Sequence, residues 1–129
     1  MKLRTHQPRI DDLTARFDAL LSLEDGWLDG EGVAPDKTKL VFVARKMASH
    51  YPKLLPLPAI VSTPEGNVLL EWDVPGNPSV DFDLSSLRAA FHAFQPDETE
   101  TESEFLLTSD LAWKHFFDFL KEEIQRRAA

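Results

Sequence analysis

One stretch of this chain alternates apolar and polar residues at every second position, with two helix-period stretches before it and one after. In Thr63 to Asp73, Val68, Leu70 and Trp72 alternate with Leu69, Glu71 and Asp73, the period of two that marks a half-buried strand. Pro64 fixes one φ and Gly66-Asn67 accept positive φ, so the stretch opens on a tight turn. A short apolar strand is expected at 59–62, the central one at 67–74, and a hairpin partner at 79–84, where Val80, Phe82 and Leu84 oppose Asp81 and Asp83. Residues 87–94 fit a fourth strand or a short helix capped by Ser85-Ser86. The strand is favoured because the next stretch needs a partner. That stretch, 99–107, alternates carboxylate and hydroxyl residues before turning apolar, which suits an edge strand; a charged loop is the alternative.

The helical stretches are clearer. Ile10, Leu13, Phe17, Leu20 and Leu21 predict a first helix over 10–23, ended by Gly26 as a left-handed cap. Pro35 is expected as the first residue of a second helix over 35–51, with Leu40, Val43, Ala44, Met47 and Tyr51 buried. Trp113, Phe116, Phe117, Leu120 and Ile124 form the stripe of a C-terminal helix capped by Thr108 or Ser109. The fold class is therefore α+β: two N-terminal helices, an antiparallel meander of four or five strands, and a C-terminal helix, with the helices on one sheet face. All 129 residues make a single domain, and residues 1–9 read as a flexible basic terminus.

Charge changes this picture. The net charge is −8, but residues 59–110 hold eleven acids and one base, Arg88, a net of −10. The remainder is +2. A sheet so acidic repels nucleic acid and anionic membranes and attracts basic proteins; plain solubility is the competing explanation. No apolar run reaches the ~18 residues of a membrane span. The N-terminus has no apolar segment behind its basic residues, so no signal peptide is expected. The chain has no cysteine, which excludes disulfides and thiolate chemistry and fits a cytoplasmic protein.

Asp25-Gly26-Trp27 with Asp29-Gly30, the helix opened by Pro35, then Thr63-Pro64-Glu65-Gly66, Val68 and Leu70-Glu71-Trp72 resemble an uncharacterised family of small bacterial proteins. Its members share a D-G-W-D-G-like loop and a P-T-P-(D/E)-G-x-V-x-L-E-W strand. Here Leu28 separates Trp27 from Asp29, and Ser62 stands in place of the first proline. The resemblance covers about residues 10 to 85. It implies a helix-helix-sheet order and a strand at 87–94. It implies no activity and no catalytic residue.

The search for chemistry ends without a catalytic motif or cofactor site. There is no nucleophile elbow, phosphate loop or pair of histidines at ligand spacing. Three readings remain. In the first, the chain is a non-enzymatic protein-interaction module, of the inhibitor, antitoxin or immunity kind, for a basic partner. Glu98, Glu100, Glu102, Glu104, Glu71 and Asp73 then supply complementary charge, and Trp27, Trp72 or Phe119 the anchor. A homodimer through the sheet edge or the last helix is also open. In the second, a small enzyme or ligand-binding protein has a pocket between sheet and helices, with His92 near Asp81 or Asp83. In the third, Asp25, Asp29 and Glu31 of the 25–31 loop bind a divalent cation, although their spacing is not that of a calcium helix-loop-helix. A turn with Trp27 plugging the core is the simpler account of that loop.

Overall fold

The computed structural model describes residues 8–128, so the expectation for the basic terminus lies outside the described residues for positions 1–7. The chain runs α1 (Pro8–Leu21), α2 (Lys37–His50), β1 (Ala59–Ser62), β2 (Val68–Glu71), β3 (Ser79–Asp83), β4 (Arg88–Phe94), β5 (Glu100–Leu106) and α3 (Asp110–Ala128). The five strands form an antiparallel meander in chain order. The helices pack on one of its faces, as the alternation of buried positions requires.

Inward residues Ile60, Val68, Leu70, Val80, Phe82, Ala89, Phe91 and Ala93 share one buried cluster with Leu13, Phe17, Leu40, Val43 and Met47 of the helices. The stripe of α3 closes it. Phe116 stands edge-on to Phe82 at 5.6 Å between ring centroids, and Trp113 stacks on Phe82 at 6.1 Å. Burying rings of this size contributes about 2–3 kcal/mol each, so α3 is the main seal of the sheet.

Several boundaries differ from expectation. Helix α1 already begins at Pro8, inside the stretch 1–9 read as flexible, because proline suits a first turn whose N–H needs no partner, and β2 ends at Glu71 rather than at 74. Helix α1 ends at Leu21, two residues before the expected 23, and Gly26 does not cap it; Gly26 belongs to the next loop, where its N–H donates to the Gly32 carbonyl at 2.9 Å. Helix α2 starts at Lys37 rather than Pro35, because the Asp36 carboxylate accepts the Lys39 N–H (3.0 Å) and takes the cap position. Its end is as expected: Tyr51 turns extended ahead of Pro52. Residues 88–94 are strand, and β5 is an edge strand starting at Glu100.

The two motif stretches meet at one corner of the fold. The 25–32 loop is a small hairpin with the Asp29-Gly30 pair, both at positive φ, at its tip. The Val33 N–H donates to the Pro64 carbonyl (2.8 Å), and the Asp25 carboxylate accepts the Ala34 N–H (2.9 Å). Trp27 lies over Gly32 and donates its indole N–H to the Val33 carbonyl (3.0 Å). Trp27 thus braces its own loop instead of plugging the core. A tight hairpin with positive φ at Gly26, Asp29, Gly30 and Gly32 carries the ring back onto its own backbone.

Candidate functional site

Because every helix among the described residues lies on the inner face, none of them covers the outer face of the sheet. Alternation decides which side chains it shows. Val61 of β1, Leu69 and Glu71 of β2, Asp81 and Asp83 of β3, Arg88, Ala90, His92 and Phe94 of β4, and Glu100, Glu102, Glu104 and Leu106 of β5 all point outward. Register then sorts them into rows. Leu69 faces Asp81, Asp81 faces Ala90, and Ala90 faces Glu104. One row over, Glu71, Ser79, His92 and Glu102 succeed one another across four strands.

Small Ala90 leaves a shallow depression of about 350 Å³ bordered by His92, Glu102 and Glu104. Around it the charges are organised in pairs. Arg88 donates to Glu104 at 3.0 Å, and His92 Nε2 sits 2.6 Å from Glu100 Oε1. The Phe94 ring stands edge-on to the imidazole at 5.1 Å. On β3, two neighbouring acids are shifted in opposite directions. Partial burial, reinforced by Asp83 and Glu65, raises Asp81 above the usual carboxylate range. The Ser85 hydroxyl, at 2.7 Å, lowers Asp83, helped by the Ser85 and Ser86 N–H groups.

The structure gathers some of the expected residues and scatters others. Glu100, Glu102 and Glu104 line one strand of the open face, and Glu71 belongs to the same face. Asp73 is exposed just past β2, and Glu98 lies in the β4–β5 turn at positive φ, so both are rim residues. Trp27 is at the loop corner. Phe119 is half-buried on the inner side, 4.9 Å from Phe91 and 5.2 Å from Phe105 between centroids, which ties it to the core. Trp72 is buried, with its indole N–H directed to Tyr51 Oη (3.0 Å) and the Pro56 carbonyl (3.1 Å), so it anchors no partner.

His92 does not pair with Asp81 or Asp83. Register sets Asp81 against Ala90 and Asp83 against Arg88, and leaves Glu100 as its carboxylate partner. It also faces away from the helices, whose contact with the sheet is filled by Phe82, Phe91 and Phe116. Asp25, Asp29 and Glu31 do not converge either. Among the described residues, the group of possible metal ligands that does is His92, Glu100 and Glu102. The exposed apolar residues Val61, Phe94 and Leu106 went unremarked in the sequence. Their outward parity was the available signal.

The class this architecture defines is an α+β protein with a one-sided meander sheet. Comparison with protein-family models, curated proteins and solved structures finds no match for the chain. No helix among the described residues is long and apolar enough to cross a membrane.

Proposed function

We propose that the chain is a non-catalytic interaction module whose open sheet face docks a basic protein, as an inhibitor, antitoxin or immunity-type protein does. The observation that carries this reading is the placement of all three helices on one face. Among the described residues no helix covers the other face, which shows outward Glu71, Asp81, Asp83, Glu100, Glu102 and Glu104 against Arg88 and His92. Apolar Val61, Phe94 and Leu106 lie among the carboxylates, the mix of contact area and charge that a protein interface uses. Five strands about 4.8 Å apart and some five residues long give roughly 400 Å² of flat face. A stable interface needs ~800 Å² per partner, so the rim must take part. Glu98 and Asp73 are on that rim. Complementary charge speeds encounter and makes binding salt-sensitive.

The test is capture with the tagged chain and with two variants. One carries Glu100→Gln, Glu102→Gln and Glu104→Gln; the other carries Glu122→Gln on the helical side. A basic protein retained at low salt, released at high salt, lost by the triple variant and kept by the control is the expected result. An eluate holding only the chain itself, or a partner that the triple variant retains, refutes the reading.

A further inference from the structure

We propose that His92, Glu100 and Glu102 form a binding site for a zinc-class divalent metal ion. Their candidate ligand atoms all lie within 4.8 Å of one another. Two bonds of ~2.1 Å at a tetrahedral angle hold ligand atoms about 3.4 Å apart, so side-chain rotations that open the 2.6 Å His92–Glu100 contact would seat an ion among the three.

The backbone fixes this convergence. Glu102 stands directly across from His92 in the β4–β5 register, and Glu100 is two residues along the same strand on the same face. Phe94, opposite Glu100, packs its ring against the imidazole and restricts its swing. The third glutamate of the row is engaged elsewhere, since Glu104 receives Arg88. Two carboxylates therefore stand beside one imidazole, whose Nε2 reaches Glu100 at 2.6 Å. A dication bound at Nε2 and two carboxylate oxygens balances both.

The donor set selects the metal. One imidazole nitrogen with two carboxylate oxygens suits zinc and its first-row neighbours, whereas calcium and magnesium take all-oxygen shells. Three protein ligands would leave a fourth coordination position, and the depression beside Ala90, lined by His92 and Glu102, adjoins the site. That position can hold water or a ligand from a docked protein. The site does not depend on the docking reading, because metal binding is measured on the isolated chain.

The experiment uses untagged full-length protein stripped of metal with a chelator. Thermal unfolding is followed with and without zinc, and cobalt(II) serves as an absorption probe of the ligand field. A ligand specific to the folded state must raise the melting temperature, by several degrees at about a hundred times its dissociation constant. The expected result is a chelator-reversible rise that is lost in His92→Gln and in the Glu100→Gln, Glu102→Gln pair. It should survive in Asp29→Asn and in His115→Gln. His92 and both glutamates retain solvent contact, so the variants should keep the metal-free melting temperature. No zinc-dependent shift at about 1 mM overturns the site. So does a shift that His92→Gln retains, or one lost instead with Asp29.

Discussion

Replacing Gly76 with alanine should destabilise the fold by about 3–5 kcal/mol. Gly76 lies in the β2–β3 turn at φ +89°, where an L side chain costs roughly 1–2 kcal/mol. An added Cβ would fall 2.4 Å from the Phe94 carbonyl oxygen and 2.2 Å from an Arg127 guanidinium nitrogen. The oxygen is backbone and cannot swing away. Relief must come from moving the turn, and that turn accepts the Phe94 N–H on the Gly76 carbonyl at 2.9 Å. The same displacement disturbs the buried Arg127, which donates to the Phe94 carbonyl at 2.6 Å; a hydrogen bond from a charged donor is worth about 1.5–3 kcal/mol. With a urea slope near ~2 kcal/mol/M, the midpoint should fall by about 2 M. In an Arg127→Met background the cost of Gly76→Ala should shrink by about the charged hydrogen bond, ~1.5–3 kcal/mol, since one obstacle is already gone. A midpoint that falls by less than about 0.5 M, or costs that simply add, would refute this account of the turn.

Trp72→Phe keeps the ring in the core but removes the indole donor from Tyr51 Oη and the Pro56 carbonyl, so chemical denaturation should report a loss of about 1–2 kcal/mol. Asp81 and Asp83 should show opposite pH signatures. The raised Asp81 contributes stability that is full below its ordinary 3.8 and lost as pH rises through its folded value. Asp81→Asn should therefore raise the melting temperature at neutral pH and converge on wild type in acid. The lowered Asp83 contributes stability that is present above 3.8 and lost as pH falls through its folded value, so Asp83→Asn should lower the melting temperature at neutral pH and converge in acid. Melting temperatures across the acid range check both: a rise with Asp83→Asn would contradict the hydrogen-bond assignment at Ser85, and a fall with Asp81→Asn would contradict the desolvation of that carboxylate.

The side each strand turns to the core was legible because half-burial stamps a period of two on Val68, Leu70 and Trp72, and on Val80 and Phe82. The α3 stripe was legible for the same reason at helical spacing. Pairing was not. Which acid meets His92 depends on turn geometry, and the β3–β4 turn places Leu87 at φ +58°, a conformation its side chain does not advertise. That turn sets Ser79 rather than Asp81 opposite His92, while the β4–β5 turn, with Glu98 at φ +69°, sets Glu102 opposite it; one residue more or less there would exchange Glu102 for a different neighbour. The start of α2 falls two residues past Pro35 because the Asp36 carboxylate accepts the Lys39 N–H and takes the cap position, a hydrogen bond that the spacing of apolar residues does not reveal. Trp27 was misplaced because an aromatic in a glycine-rich loop suits a core plug and a local brace equally well. Only the left-handed pair at Asp29-Gly30 distinguishes them.

The glutamates of β5 admit a use that involves no partner. An exposed edge strand invites pairing with another chain, and charge along it is a common defence. Two features of the face count against this as their whole purpose. The charge is not confined to the edge, because Asp81 and Glu71 carry it inward to β3 and β2, where both sides of the strand are already paired. Defence against pairing also gives no reason to hold Val61 and Phe94 exposed among those acids. Neutralising Glu100, Glu102 and Glu104 together separates the two uses. If the carboxylates only guard the edge, the triple glutamine variant should self-associate in sedimentation and retain any partner. If they belong to a docking surface, the variant should remain the size of wild type and lose its partner. A variant that self-associates while binding the same protein at unchanged strength would return the acidic sheet to solubility alone.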